Sequence, residues 1–177
     1  MRHLSQIAAA QGVLLVLGVL WRVMPFEVVA PLPAVVYAAY LGVSTRDRIP
    51  IAVAVAVTIG YLSDLVGGSP RGLMALVAGI LCVATRAASA RLLLRGRLFV
   101  ATFTLVASLG ASALVVGIRL LWGVPVGSVA REAIVAIGSG LATATIAPLV
   151  FRLCRAIDAA FARTARERDA LREGYLS

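Results

Sequence analysis

The sequence predicts an all-α integral membrane protein with six transmembrane helices. Of its 177 residues, 61% are hydrophobic and 14% are charged, and the mean hydropathy is +0.98. This composition is too apolar for a water-soluble domain of the same length. Apolar segments recur at a length that suits helices, since about 20 helical residues cross a hydrocarbon core of about 30 Å. Lipid offers no partners to an open backbone, so each segment must form a helix or be shielded by helices.

Six apolar segments make up the predicted membrane domain, residues 1–154. The first follows Arg2 and His3, as the apolar region of a secretory signal would. It lacks a small-residue cleavage site, so an uncleaved helix is predicted. The second is short and contains proline, and the fifth and sixth are the clearest. The six segments lie at about residues 4–21, 28–43, 49–66, 72–85, 98–122 and 133–153.

Residues 155–177 form a predicted charged helical tail on the cytoplasmic side. Apolar residues recur in it at roughly helical spacing, and Arg163 and Glu167 are spaced to pair along a helix surface. Two interpretations follow. The tail either extends the sixth helix into the cytoplasm or offers a docking site for a cytoplasmic or lipid partner.

The arginines indicate the orientation. All 17 basic residues are arginine, and the net charge is +9. In a six-pass arrangement thirteen of them fall on one side and four on the other, and cytoplasmic segments carry the excess of basic residues. Both termini are therefore predicted to face the cytoplasm, with membrane lipids rather than nucleic acid as the partner of this charge. The cytoplasmic basic loop after the fourth segment contains Arg86, Arg91, Arg95 and Arg97.

A polar sequence, GYLSDLVGGSPRGL at residues 60–73, separates the third and fourth segments. Gly67 and Gly68 permit a tight turn there. Ser69 followed by Pro70 is a plausible N-cap and first-turn pair for the fourth helix. The sequence therefore predicts a sharp helical hairpin on the outer side of the membrane.

Asp64 is the one acidic residue of this hairpin. It falls in the last turn of the third helix, where the helix macrodipole does not favour a carboxylate. It is expected to pair with Arg71 across the turn or to accept backbone N–H bonds at the start of the fourth helix. Either contact would make Asp64 a structural clamp. The alternative is that Asp64 lines a cavity and contacts a ligand or partner, since ionisable residues at membrane depth are often functional.

The same hairpin resembles the signature of the rod shape-determining protein MreD family. The residues 21–26, WRVMPF, and Pro33 are also similar to features of that family, as is the basic loop after the fourth segment. The resemblance covers about residues 12–155, and the region around Asp64 is its distinctive part. The residues that carry it are Gly60, Asp64, Leu65, Gly68, Ser69 and Gly72, with Pro70 between them.

This resemblance implies a non-enzymatic scaffold of the elongation machinery in the bacterial inner membrane. MreD-like proteins bind the single-pass protein MreC and support rod shape and lateral peptidoglycan synthesis. They help to connect MreB filaments with the synthases RodA and penicillin-binding protein 2. Their fold resembles the six-helix S components of energy-coupling-factor vitamin transporters.

The shared fold leaves a small-molecule-binding S component as the alternative function. Such a protein needs several polar groups that converge near its outer side. The candidates in this chain are Thr58, Tyr61, Ser63, Asp64 and Arg119.

The sequence gives little support to catalysis. His3 is the only histidine, so neither a His-Glu-x-x-His metal site nor a Ser-His pair can form within the membrane. Among the aspartates only Asp64 falls at a predicted membrane position, which excludes a two-aspartate protease. We therefore predict that the protein is not an enzyme and has no metal or cofactor.

Small residues recur at intervals of four in the fifth and sixth segments. Such spacing lets helices pack closely in lipid. These faces either pack the protein's own helices together or receive the helix of another protein. In the sixth segment the pairs are Gly138 with Ala142, Ser139 with Thr143, and Gly140 with Ala144.

Overall fold

The computed structural model describes residues 2–23, 30–44, 48–67, 70–89, 97–123 and 127–174, and these residues form helices joined by short connections. No strand occurs within these ranges. The predicted all-α class is therefore confirmed for this part of the chain. The helices are α1 (Arg2–Val23), α2 (Pro33–Val43), α3 (Ile49–Gly67), α4 (Leu73–Ser89), α5 (Arg97–Leu121) and α6 (Val129–Gly174).

The outside of the bundle is apolar and its interior contains polar side chains. Leu98, Leu121 and Val129 are each at least 85% exposed, whereas Gln6 and Asp64 are each 2% exposed. So many exposed large apolar side chains are unusual in a water-soluble protein and suit a lipid environment. Within the described ranges, three helical segments are long and apolar enough to cross a membrane: Ile49–Gly67, Leu98–Leu121 and Val129–Ala162.

Helix α2 is the centre of the bundle. Ten of its eleven residues are buried, and it contacts all five other helices. A helix of this length is about 16 Å long, which is about half of the hydrocarbon core. The second transmembrane segment, predicted over residues 28–43, is helical only from Pro33 among the residues that the structure describes. Pro33 disfavours helical backbone at Leu32, which has φ −105° and ψ 77°.

Helix α4 crosses α2 at very short range. A Cβ atom at Gly42 would lie 2.6 Å from the carbonyl oxygen of Cys82, so the two backbones meet because Gly42 has no side chain. At one end of this contact Arg86 donates to the carbonyl oxygen of Ser44, just after α2 ends. Arg86 was predicted in the basic loop, but α4 continues to Ser89, so Arg86 lies in its last turn. Of the other three loop arginines, Arg97 is the first residue of α5, while Arg91 and Arg95 lie outside the described residues.

Helix α6 continues through the predicted boundary between membrane domain and tail. It runs from Val129 to Gly174 with Pro148 inside it, which agrees with the tail as an extension of the sixth helix. One face of α6 stays buried beyond residue 154, because Phe151 and Asp158 are two helical turns apart and both face the bundle. Asp158, which falls in the predicted tail, is therefore buried against the bundle. Side chains after Ala162 lie outside the described residues.

Thr143 of α6 holds the segment that leads into α2. Its Oγ1 accepts a hydrogen bond of 2.9 Å from the backbone N–H of Leu32, and its side chain is fully buried. Since the residue before a proline is kept out of the helix, its N–H needs a partner elsewhere. Thr143 supplies that partner from the opposite half of the chain.

Replacing Thr143 with valine is expected to lower the free energy of unfolding by about 1 kcal/mol, because the Leu32 N–H loses its acceptor. Valine has nearly the same shape, so packing is preserved. Thr145→Val is the matched control, since Thr145 is exposed and donates to the carbonyl oxygen of Ala142 in its own helix. Its effect should stay within about 0.5 kcal/mol. Denaturant unfolding in detergent micelles measures both, and equal effects would contradict the assigned role.

Candidate functional site: a helix clamp, a buried polar cluster and an apolar groove

Asp64 caps α4 from the end of the neighbouring helix. Its Oδ2 accepts from the N–H of Gly72 at 3.0 Å and its Oδ1 from that of Met74 at 3.0 Å. The N–H of Ala75 lies 3.4 Å from Oδ2. The first N–H groups of a helix lack intrahelical partners and carry the positive end of its dipole. The sequence left two contacts of Asp64 open, and the structure shows the bonds to backbone N–H groups of α4. Arg71 is also described; it is exposed and does not pair with Asp64.

The start of α4 differs from the prediction. The helix begins at Leu73, so Pro70 stands before it rather than in its first turn. The oxygens that cap α4 come from Asp64 across the turn. Gly68 and Ser69, which the prediction also involved, lie outside the described residues.

Two glycines allow the carboxylate to reach α4. A Cβ atom at Gly60 would lie 2.5 Å from the carbonyl oxygen of Met74 and 2.8 Å from the Cα atom of Ala75. Gly72 has φ +91°, a conformation that L side chains rarely adopt. Gly60, Asp64 and Gly72 therefore act together, and we refer to them as the Asp64 clamp. Leu65, which belongs to the same motif, is exposed.

Four of the five polar candidates for a small-molecule pocket are exposed, already bonded or on a separate helix, and the fifth, Ser63, is half-buried on α3. Thr58 is exposed and donates to the carbonyl oxygen of its own helix at Ala54, and Tyr61 is exposed as well. The carboxylate of Asp64 is occupied by backbone N–H groups of α4. Arg119 lies on α5, which does not contact α3 within the described parts of the two helices.

A second buried carboxylate, which the sequence analysis missed, joins three helices. Asp158 of α6 accepts from Gln6 of α1 and from Tyr40 of α2, through Nε2 to Oδ1 and Oη to Oδ2, each at 2.7 Å. All three side chains are at most 7% exposed. We refer to these three residues as the Asp158 cluster. The ring of Tyr40 also meets that of Phe151 edge to face, with centroids 5.2 Å apart.

Polar atoms without partners lie on the same helices. Within the described residues, Gln6 Oε1 and Gln11 Oε1 of α1 and the Tyr37 hydroxyl of α2 have no hydrogen-bond partner although they are buried. Buried polar groups are normally paired, and each that is not costs free energy. The packing of α1 against the bundle is therefore incompletely satisfied.

The surface between α5 and α6 carries an apolar groove of about 720 Å³. Gly138 and Ala142 line it, whereas Ser139 and Thr143 are buried in the bundle. One small-residue pair of α6 thus lies on the open side, while another packs the protein's own helices. The groove is lined by Leu98, Ala101, Gly138, Leu141, Ala142, Ala144, Thr145 and Pro148.

The function of the chain has to follow from these features of its own residues. No family model matches the sequence, and no curated protein or solved structure matches it with statistical significance.

Proposed function

We propose that the protein is a non-enzymatic scaffold of the MreD type in the bacterial inner membrane. In this role it binds MreC and supports rod shape and lateral peptidoglycan synthesis, in contact with RodA, penicillin-binding protein 2 and MreB filaments. The observation that carries the proposal is the Asp64 clamp, because it assigns a physical role to three of the residues on which the family resemblance depends.

The three residues of the clamp each have a structural role. Gly60 lets α3 and α4 touch, Gly72 makes the turn, and Asp64 satisfies the first N–H groups of α4. All three roles fix one helix against the next, and the carboxylate of Asp64 is bonded to backbone N–H groups of α4. A rigid hairpin of this kind is what a protein needs when its function is to hold membrane helices of a partner in a defined position.

We further propose six membrane crossings with both termini in the cytoplasm, in a fold like that of the S components. The division of the arginines, thirteen against four, supports this topology. The short α2 fits it if residues 30–32 continue the crossing as extended backbone. Three extended residues add about 10 Å to the roughly 16 Å of α2. Non-helical backbone is tolerated at membrane depth when protein satisfies its polar groups, and Thr143 satisfies the N–H of Leu32.

The alternative function, a vitamin-binding S component, has less support. It requires convergent polar groups in a pocket, and the candidate residues lie apart or are already bonded. The groove that the structure does contain is apolar and open, with Thr145 as its one hydroxyl-bearing residue.

Co-purification with MreC tests the proposed function. The tagged chain is expressed together with MreC of the source organism, extracted in mild detergent and analysed by native mass spectrometry. Retention of MreC in a fixed ratio is expected, and an unrelated single-pass membrane protein is the control for specificity. A folded protein that loses MreC on extraction and carries one tightly bound vitamin would contradict the scaffold and favour the S component.

A further inference from the structure

We infer that the Asp158 cluster is a conformational latch at the end of the bundle. In the closed state the cluster holds α1 and the C-terminal part of α6 against α2. In the open state α1 and that part of α6 separate from α2 together. The inference concerns contacts within the chain and does not depend on the identity of any partner.

The geometry of the carboxylate couples the three helices. Gln6 and Tyr40 hold different oxygens of Asp158, across 152 and 118 residues of sequence. Hydrogen bonds to a buried carboxylate are strong, so each of these donors ties its helix to Asp158. Movement of α6 at Asp158 therefore disturbs α1 and α2 at the same time, which favours two discrete arrangements over a gradual shift.

Helix α1 packs on the bundle along a narrow stripe. Among its described side chains, Gln6, Ala10 and Leu14 are buried at intervals of four residues, and Ile7 and Val13 pack partly against the same core. Helix α1 contacts α2, α3 and α6 but not α4 or α5 within the described residues. The bond from Gln6 to Asp158 is the polar contact at the N-terminal end of this stripe, and it ties α1 directly to α6.

The closed state is also less than fully satisfied. Gln6 Oε1 and the Tyr37 hydroxyl have no hydrogen-bond partner among the described residues. A core with every polar group paired would resist opening, whereas unpaired groups lower the stability of the closed arrangement relative to an open one that water or head groups can solvate.

Helix α6 is long enough to transmit movement to the latch. It continues without interruption from Asp158 to Gly174, about 24 Å at the rise of an α-helix. A rigid helix of this length moves as one piece, so a force on its C-terminal end acts on Asp158. The latch therefore connects whatever contacts this end of α6 with the position of α1.

Distances between spin labels test the latch. One pair joins α1 and α6 through Leu4→Cys and Ala159→Cys, and a reference pair joins α3 and α4 through Leu65→Cys and Leu76→Cys. All four positions are exposed, and the parent protein, whose two cysteines are buried, is the labelling blank. In the parent both pairs should give narrow distance distributions.

Asp158→Asn is expected to make the α1–α6 distribution at least about twice as wide, with the α3–α4 distribution unchanged. Asp64→Asn is the matched control and should widen the α3–α4 distribution alone. An unchanged α1–α6 distribution in a folded Asp158→Asn protein would overturn the latch. If that variant does not fold, Tyr40→Phe, which removes one donor and keeps the ring against Phe151, should widen the α1–α6 distribution partially, and no widening overturns the latch in the same way.

Discussion

Replacing Gly60 with alanine is expected to destabilise the protein strongly, although alanine is the better helix former. The added Cβ would lie 2.5 Å from the carbonyl oxygen of Met74 and 2.8 Å from the Cα atom of Ala75. Both atoms belong to the backbone of α4, so no side-chain rotation relieves the contact. The helices must separate instead, which weakens the hydrogen bonds of Asp64. Overpacking of this kind costs about 1–3 kcal/mol, and opening of the clamp adds to it.

Gly110→Ala is the control for this prediction. Gly110 is also a helical glycine, but a Cβ atom there meets nothing within 4 Å. The same substitution should therefore be neutral or stabilise the protein by up to about 1 kcal/mol through helix propensity. Thermal unfolding in detergent micelles compares the two variants. Equal melting temperatures would mean that the close approach of α3 and α4 does not contribute to stability.

Asp64→Asn is expected to lower the free energy of unfolding by about 2 kcal/mol or more. The asparagine side chain has one acceptor oxygen, and its NH₂ group would face the N–H groups of α4 that the second carboxylate oxygen now accepts. The favourable interaction between the charge and the N-terminal end of the α4 dipole is lost as well. Thermal unfolding of the purified protein in detergent measures the change.

Arg71→Ala tests whether Asp64 stabilises the protein through the backbone of α4 or through an ion pair at the surface. Arg71 lies in the same turn but is exposed and does not bond to Asp64, so its removal should change stability by less than about 0.5 kcal/mol. If Asp64→Asn leaves stability unchanged and abolishes binding of MreC, the carboxylate contacts the partner and is not a clamp.

The sequence predicted the helices well where hydrophobic length decides them. The third and fifth predicted segments agree with α3 and α5 within two residues at each end. In the second segment, described residues 30–32 precede the helix, because average hydropathy does not register that Pro33 keeps Leu32 out of it. Hydropathy also does not distinguish an apolar helix that faces lipid from one that other helices enclose. The central position of α2 therefore required the structure.

The two buried carboxylates differ in how far the sequence revealed them. Asp64 stood out because it interrupts an apolar segment beside glycines, which favoured a hairpin contact. Asp158 was obscured because charges of both signs surround it, and such composition is typical of a solvated tail. The helical period could have found it, since Asp158 is two turns after Phe151 on one face of the sixth helix. The donors Gln6 and Tyr40 are too distant in sequence for any local pattern to reveal.

The bond from Leu32 to Thr143 has a consequence for biosynthesis. The ribosome makes the acceptor 111 residues after the donor, and at about 5–20 residues per second this delay is roughly 5–20 s. During that time the segment around Leu32 has reached the translocon, but α6, which carries its hydrogen-bond acceptor, has not yet been made. The nascent chain must remain beside the translocon, or under the protection of an insertase, until its last helix arrives.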